Sequence, residues 1–172
     1  MWTSENRKEE WLGLALVVAG VVLRLLPHPD NFTPVTALAL FSGVILSPAL
    51  ALSVPILVMM ASDLVIGLHS LVLVTWGSFF AVTLMGMAVR KKPAVSGIFF
   101  GTLGGSVLFF IVTNLGVFLF QNMYPKNFSG LIECYVMAIP FFRNSLLGDL
   151  FFSAALFSLF ALLKSASKKL AI

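Results

Sequence analysis

The chain has 172 residues, of which 59% are hydrophobic and only 10% are charged, and its formal net charge is +4. A soluble domain spends about a quarter of its residues on charge, so this composition excludes an ordinary soluble protein and predicts one membrane domain over residues 1–172. The single cysteine, Cys134, excludes a disulfide within the chain and a metal site built from several cysteines.

Six apolar blocks follow one another along the chain. Each is long enough to cross a hydrocarbon core of about 30 Å as a helix, and backbone polar groups in lipid must be satisfied within such helices. We therefore predict an all-α polytopic membrane protein with six transmembrane helices. In chain order, the predicted spans are Trp11 to Leu26, Thr33 to Leu46, Ser47 to Gly67, Leu71 to Val89, Pro93 to Phe120 and Asn144 to Leu163.

Proline-containing segments end or bend these spans. The segment Pro27-His28-Pro29 ends the first span because two prolines in three residues cannot continue a helix. Ser47-Pro48 is a helix start directly after the second span, which predicts a very tight turn, and Pro55 predicts a kink within the third span. Asn122 to Phe142 predicts a loop of roughly 20 residues, in which Gly130 to Ala138 forms a short helix.

Basic residues orient the spans across the membrane. With the N-terminus in the cytoplasm, eight basic residues fall on the inner side and three on the outer side, as the positive-inside rule requires. The inner set is Arg7, Lys8, Arg90, Lys91, Lys92, Lys164, Lys168 and Lys169, and the outer set is Arg24, Lys126 and Arg143. We therefore predict a multi-pass membrane protein with both termini in the cytoplasm. Because these basic residues stand at span ends, they indicate topology and not nucleic-acid binding.

Three ionisable residues lie within spans, at similar depth in the outer half: Arg24, Asp63 and Asp149. Such residues are costly in lipid and mark either a function or a buried ion pair. We expect them to form a salt-bridged cluster, and Arg143 is placed to join it. The cluster either fixes helix packing or faces a ligand cavity, and Asn114 and Asn144 fit both arrangements.

Two histidines, His28 and His69, lie in the outer connections. No carboxylate or cysteine stands at ligand spacing from either, so the sequence predicts no metal site, and imidazoles that meet water explain both. Metalloprotease, serine-hydrolase and phosphate-binding-loop motifs are absent from the sequence. We therefore predict no catalytic residue and no cofactor, and the chain cannot drive transport by hydrolysing ATP itself.

Aromatic residues border the predicted outer face: Trp76, Tyr124, Tyr135, Phe141 and Phe142. An interfacial aromatic belt would place them there. A lid over a flat, ring-bearing ligand would use the same residues, since Tyr124 and the Phe141-Phe142 pair flank the predicted loop. Both interpretations stay open at this point.

Small residues form two stripes at a spacing of four, which lets helix backbones approach closely. Gly97, Gly101 and Gly105 form one on the fifth span, where packing inside the bundle is the expectation. Ala15 and Ala19 form the other, on the first span. This alanine pair either packs internally or serves as a docking face for another protein.

Several segments resemble an uncharacterised, DUF6580-like family of small bacterial membrane proteins described as transport proteins. The matching segments are Arg24-Leu25-Leu26-Pro27-His28-Pro29, Asn31-Phe32-Thr33-Pro34-Val35, Ser62-Asp63-Leu64, Thr113-Asn114-Leu115-Gly116 and Ile139-Pro140-Phe141-Phe142. More distantly, the architecture resembles the S components of energy-coupling-factor (ECF) vitamin transporters. That resemblance implies six helices, an outward-facing ligand site and an Ala-x-x-x-Ala motif that docks a transmembrane coupling subunit with its ATPases. Ala15 and Ala19 fit that motif.

The leading hypothesis is a membrane substrate-binding or transport protein for a small vitamin-like or cofactor-precursor molecule. An intramembrane enzyme that uses aspartate and histidine as acid–base groups, and a structural subunit of a membrane complex, are the alternatives. The residues expected to contact substrate are Arg24, His28, Asn31, Thr33, Asp63, His69, Trp76, Asn114, Tyr124, Tyr135, Arg143, Asn144 and Asp149.

Overall fold

The computed structural model describes residues 4–91 and 93–170, with side chains from 7 to 91 and from 93 to 166. Within these ranges the chain forms helices joined by short connections and contains no strand, so the all-α prediction is confirmed. The helices are α1 (Ser4–Leu25), α2 (Val35–Ile45), α3 (Pro48–Ile66), α4 (Val72–Val89), α5 (Val95–Phe120) and α6 (Phe128–Leu170).

The number of helices that qualify as membrane spans is smaller than predicted. By length and composition, four described helices, α3 to α6, are able to cross a membrane. The 11 residues of α2 reach only about 16 Å at 1.5 Å per residue, roughly half of a hydrocarbon core. The apolar part of α1 is short because charged residues stand near both of its ends, at Lys8 to Glu10 and at Arg24. The prediction of six helices is correct, but within the described ranges four of them, and not six, are full-length apolar spans.

The short helix α2 forms the centre of the bundle. Every residue from Val35 to Val44 is buried, and the helix contacts each of the other five described helices. Phe41 packs edge-on against Phe157 and Phe160 of α6, with ring centroids 5.0 and 5.7 Å apart. A helix that is apolar on all sides is stable only when it is enclosed. Here the other helices provide that enclosure.

The backbones of α2 and α4 touch at a pair of glycines. A Cβ added to Gly43 would lie 2.9 Å from the Cα of Gly86, and one added to Gly86 would lie 2.5 Å from the carbonyl oxygen of Leu40. Any larger residue would force the helices apart. The sequence analysis missed this contact, because Gly43 is the single glycine of α2 and Gly86 is nine residues from the other glycine of α4, Gly77.

The two stripes that the sequence does show face different surroundings. Gly101 and Gly105 are buried against α2 and α4, as expected for internal packing, while Gly97 is only half-buried. Ala15 and Ala19 are exposed on the surface of α1. The internal contacts of α1 are made instead by its glycines at positions 13 and 20, which pack on α3 and, at position 20, also on α2.

The turn between α2 and α3 is as tight as the sequence predicts. A carboxylate oxygen of Glu9 accepts a hydrogen bond from the N–H of Ser47 at 3.1 Å. The Arg90 guanidinium donates to the carbonyl oxygen of Gly43, with its Nε at 3.0 Å, and also to that of Leu46. Arg90, which the sequence suggested only as a topology signal, thus holds the end of the central helix. Lys92, from the same basic cluster, lies outside the described residues.

The predicted loop of Asn122 to Phe142 is wrong in extent, because α6 is one helix of 43 residues that begins at Phe128. The Asn127 side chain caps this helix by accepting a hydrogen bond from the N–H of Gly130 at 2.9 Å. Pro140 lies inside the helix and does not end it. The segment Gly130 to Ala138 is helical, as expected, but it is part of α6.

Contacts with α5 explain why α6 starts so early. Cys134 donates through its Sγ to the carbonyl oxygen of Asn114 at 3.4 Å, and Tyr135 donates through its hydroxyl to that of Ile111 at 2.7 Å. The first half of α6 therefore packs antiparallel along the last half of α5. At about 1.5 Å per residue, α6 is roughly 64 Å long, about twice the thickness of a hydrocarbon core.

Candidate functional site

The described connections lie at two ends of the bundle, and the largest share of polar residues lies at one of them. The connections 26–34, 67–71 and 121–127 all belong to this end. The turn after α2 and the connection from α4 to α5 belong to the other. Arg24 in the last turn of α1 and Asp63 near the end of α3 mark the polar end.

A cavity of about 370 Å³ lies at this end, above the start of α2. Thr33, Val35 and Thr36 line it, so the shortness of the central helix is what leaves the space open. The volume is at the lower end of the roughly 300–1,000 Å³ typical of small-molecule sites. The remaining lining comes from α1, α3, α4, α5, α6 and two connections: Arg24, Asn31, Met59, His69, Thr75, Phe79, Phe109, Phe110, Thr113, Asn114, Val117, Ala138, Phe141, Phe142 and Ser145.

Paired phenylalanines form the apolar part of the cavity wall. The rings of Phe79 and Phe109 stack with centroids 4.9 Å apart, and those of Phe110 and Phe142 are tilted at 4.6 Å. Phe141 lines the same cavity. Faces and edges of aromatic rings favour flat ring systems as partners, so the wall suits a ligand that contains a ring.

The charge of the lining is unusual in that Arg24 is its single charged residue. The Arg24 Nη1 donates to a carboxylate oxygen of Asp63 at 2.6 Å and to the Oγ of Ser62. The other carboxylate oxygen of Asp63 accepts a hydrogen bond from the indole N–H of Trp76 at 3.0 Å. Asp63 is 1% exposed and the Arg24 side chain 14%. The expected ion pair is therefore confirmed for these two residues.

His69 presents a defined hydrogen-bonding group to the cavity. Its Nδ1 accepts a hydrogen bond from the backbone N–H of Leu71 at 3.2 Å. In a neutral imidazole, a ring nitrogen that accepts leaves the proton on the other nitrogen. Nε2 is thus the donor that His69 has available.

A second cavity, of about 320 Å³, adjoins the first and reaches the exposed residues His28 and Asp30. It shares four lining residues with the first cavity: Arg24, Asn31, Thr33 and Phe141. These residues form the neck between the exposed connection 26–34 and the inner cavity. Asn31 holds a backbone φ of 61°, a left-handed conformation that asparagine tolerates better than most residues. The neck joins the main cavity to the surface.

Asp149 and Arg143 do not join the ion pair, contrary to the expectation. Asp149 is buried and accepts a hydrogen bond from the Ser106 hydroxyl at 2.6 Å, on the face of α6 that packs on α5. Arg143 is exposed. The reason is the register of α6: this helix begins at Phe128, so Asp149 lies deep within it and not in its first turns.

Five of the expected substrate contacts line the main cavity: Arg24, Asn31, Thr33, His69 and Asn114. His28 lines the second cavity, and Asp63 and Trp76 support Arg24 from behind. Tyr124 and Asn144 are half-buried. Together with Tyr135, Arg143 and Asp149, these two residues line neither cavity.

The sequence analysis missed most of the phenylalanine and hydroxyl lining. Phe79, Phe109 and Phe110 look like ordinary apolar residues of a span, and only the Phe141-Phe142 pair stood out. Hydroxyls such as those of Thr75 and Thr113 bond to carbonyl oxygens one turn earlier in their helices, a pattern common in membrane helices without any site. Among the described residues, no group of three or more histidines, cysteines or carboxylates could hold a metal ion.

The family match covers residues 4–170, nearly the whole chain. The chain belongs to DUF6580, a family of unknown function. No curated protein and no solved structure matches it. The match therefore confirms the likeness to DUF6580 and nothing beyond it, and the activity has to be argued from the cavity.

Proposed function

We propose that this DUF6580 protein is a membrane substrate-binding protein for the uptake of a small, ring-bearing, vitamin-like molecule. One observation carries the proposal: the cavity of about 370 Å³ combines two phenylalanine pairs with a single, rigidly held arginine. A mostly apolar pocket with a few placed polar groups is the usual form of a small-molecule site. The neck toward the connection 26–34 provides a route for entry.

The orientation in the proposal follows from the basic residues. The Arg90 end of the bundle carries the larger positive charge and is assigned to the cytoplasm, so the cavity opens to the outside of the cell. The likeness to ECF S components adds the means of release, a transmembrane coupling subunit with ATPases. The exposed alanine pair on α1, Ala15 and Ala19, is a surface on which another helix fits closely.

The intramembrane enzyme receives less support from the geometry. Both carboxylate oxygens of Asp63 are engaged, by Arg24 and Trp76. Asp149 is bonded to Ser106, and both histidines are bonded to backbone groups. The aspartate–histidine contact that acid–base catalysis would use does not occur among the described residues.

The first experiment is recovery of the ligand. The protein is purified in lipid nanodiscs, small molecules that co-purify are identified by mass spectrometry, and thermal stabilisation is measured across a panel of vitamins and precursors. A bound small molecule, or a stabilising one, is the expected result. A structural subunit would instead co-purify with one partner protein and no ligand, and repeated empty preparations with no thermal shift would reject the proposal.

A cavity-filling variant links the ligand to this cavity. Thr113→Phe places a ring in the lining, whereas Val112→Phe adds the same ring at the neighbouring, exposed position of α5. We expect Thr113→Phe to weaken binding by about tenfold or more and Val112→Phe to leave it unchanged. Equal binding by both variants would mean that the ligand sits elsewhere.

Docking on α1 is tested by separating binding from uptake. Ala15→Leu with Ala19→Leu enlarges the proposed docking face, and Val22→Leu is the control at another exposed position of the same helix. We expect the double variant to bind ligand normally but to lose uptake in cells, while the control keeps both. Unchanged uptake in the double variant would remove this face from the proposal.

A further inference from the structure

We propose that the molecule bound in the main cavity carries a carboxylate, and that the Nε–Nη2 edge of Arg24 binds this carboxylate side-on. The inference rests on the proposed function and specifies the class of its substrate. It depends on which guanidinium nitrogens the protein itself uses, on the charge of the lining, and on the position of α2.

The first step is the set of donors that Arg24 retains. A guanidinium has five N–H groups, two on each Nη and one on Nε. Nη1 uses both of its own, on Asp63 and Ser62. Among the described residues, neither Nε nor Nη2 has a hydrogen-bond partner. Three donors are therefore left for a ligand, and two of them, Nε–H and one N–H of Nη2, lie parallel along one edge of the side chain.

The second step is the rigidity of this edge. Asp63 is held by the indole N–H of Trp76, and the Ser62 hydroxyl donates to the carbonyl oxygen of Val58 at 2.6 Å. The guanidinium is thus fixed from behind by groups that are themselves fixed. A ligand that meets it loses little free energy to the ordering of the side chain.

The third step is the match between edge and ligand. The parallel N–H groups of Nε and Nη2 fit the two oxygens of a carboxylate, which gives a bidentate, charge-assisted pair. No aspartate or glutamate lines the main cavity to repel an anion. Val35 and Thr36, in the first turn of α2, also line it, and the partial positive charge of a helix N-terminus favours an anion there.

The remainder of the ligand follows from the remainder of the lining. The phenylalanine pairs suit one or two aromatic rings, and the volume of about 370 Å³ is small for a larger molecule. The substrate class is therefore a small aromatic carboxylate. His69 Nε2 and the lining hydroxyls are left to bind its other polar atoms.

The test compares matched probes on the protein in nanodiscs. The probes are benzoate with benzamide, naphthalene-2-carboxylate with naphthalene-2-carboxamide, and 2-naphthyl phosphate, and binding is measured by calorimetry. We expect at least one carboxylate to bind about tenfold or more tightly than its carboxamide, because only the carboxylate receives a charge-assisted pair. A carboxamide that binds as tightly, or a phosphate that binds more tightly than the carboxylate, would overturn the inference but leave the proposed uptake function standing.

Two variants assign the preference to Arg24. Arg24→Lys can keep an ion pair with Asp63 but has no planar fork, and it is expected to lose most of the preference for the carboxylate. Arg143→Lys makes the same exchange at an exposed arginine that lines neither cavity, and it should retain the preference. If Arg24→Lys does not fold, the wild-type comparison of each carboxylate with its amide still decides the question. Failure of every probe to bind the wild type would overturn the inference, whereas the proposed function is decided separately by recovery of a bound molecule from the purified protein.

Discussion

Arg24 and Asp63 show what a charge in an apolar helix requires from its surroundings. An isolated ion within a span is costly, so the sequence alone predicts that oppositely charged residues at similar depth will pair. This argument correctly joins Arg24 to Asp63. It fails for Asp149, because a hydroxyl from Ser106 satisfies that carboxyl group, and a serine in an apolar helix gives no signal that it will be a partner.

The ion pair leads to a prediction about stability. Asp63→Leu leaves the Arg24 guanidinium and the Trp76 indole N–H without their partner, and loss of one member of a buried pair typically costs about 3–5 kcal/mol. The double variant Arg24→Met with Asp63→Leu removes both charges and is expected to recover much of that loss. Unfolding in detergent, followed by circular dichroism, measures both variants.

Trp76→Phe is the control for the ion pair. It removes only the hydrogen bond to the Asp63 carboxylate and should cost about 1.5–3 kcal/mol, less than Asp63→Leu. If Arg24→Met with Asp63→Leu is as unstable as Asp63→Leu alone, the unpaired charge of Arg24 is not the cause of the loss.

At the scale of the helices, the short helix α2 determines how the other helices pack, because it contacts all five of them. A helix of 11 residues covers only about half of the hydrocarbon thickness. Its C-terminal carbonyl groups therefore need donors from elsewhere in the protein. Arg90 supplies them to Gly43 and Leu46. At the other end of α2, the main cavity occupies the space that further helical turns would fill.

The contact between α2 and α4 gives the second prediction. Gly43→Ala and Gly86→Ala each place a methyl group against the backbone of the facing helix. Overpacking of this kind costs about 1–3 kcal/mol or more. Gly77→Ala, also on α4, has nothing within 4 Å of its added Cβ and should be neutral or slightly stabilising, because alanine favours helix. Thermal unfolding of the three variants separates a backbone contact from a general effect of replacing glycine.

Arg90 gives the third prediction. Arg90→Ala leaves the carbonyl oxygens of Gly43 and Leu46 without their charged donor, and hydrogen bonds to charged groups are worth about 1.5–3 kcal/mol. Lys91→Ala removes the same charge from the next, exposed position and should leave the unfolding midpoint nearly unchanged. If both variants lower the unfolding midpoint equally, the loss comes from the removed charge and not from the lost hydrogen bonds to the end of α2.

The helix boundaries show where sequence reasoning succeeds and where it stops. Apolar blocks and proline signals located α2 to α5 closely, including the turn at Ser47-Pro48, and they also located the end of α1. The start of α1 lies seven residues before the predicted Trp11, because the charged first turns are helical as well. The start of α6 was missed because Pro140 and the polar residues before it resemble a loop. In the structure this segment is helical, because Cys134 and Tyr135 bond to carbonyl oxygens of α5. Contacts of this kind are between helices, and a single sequence does not show them.

At the scale of the whole molecule, the charged ends of α1 attach it to α3. Glu9 bonds to Ser47 at the start of α3, and Arg24 bonds to Asp63 near its end. The two helices therefore run parallel, side by side, over nearly the whole length of α3, which is itself long and apolar enough to cross a membrane. The charges that weaken the hydropathy of α1 are the ones that bind it to its neighbour. This geometry supports a crossing by α1 that composition alone would reject.

The orientation of the molecule gives the last prediction. Cys134→Ala removes the single cysteine. New cysteines are then placed one at a time at Lys8, Lys91 and Asn122, all of which are exposed. A membrane-impermeant maleimide applied to intact cells should label position 122 and leave positions 8 and 91 unlabelled, because the basic end of the bundle faces the cytoplasm. Permeabilised cells, in which all three positions should react, provide the control. Labelling of position 91 from outside would mean that the cavity faces the cytoplasm, which would exclude uptake through it. Labelling of position 8 without position 91 would mean that α1 does not cross the membrane.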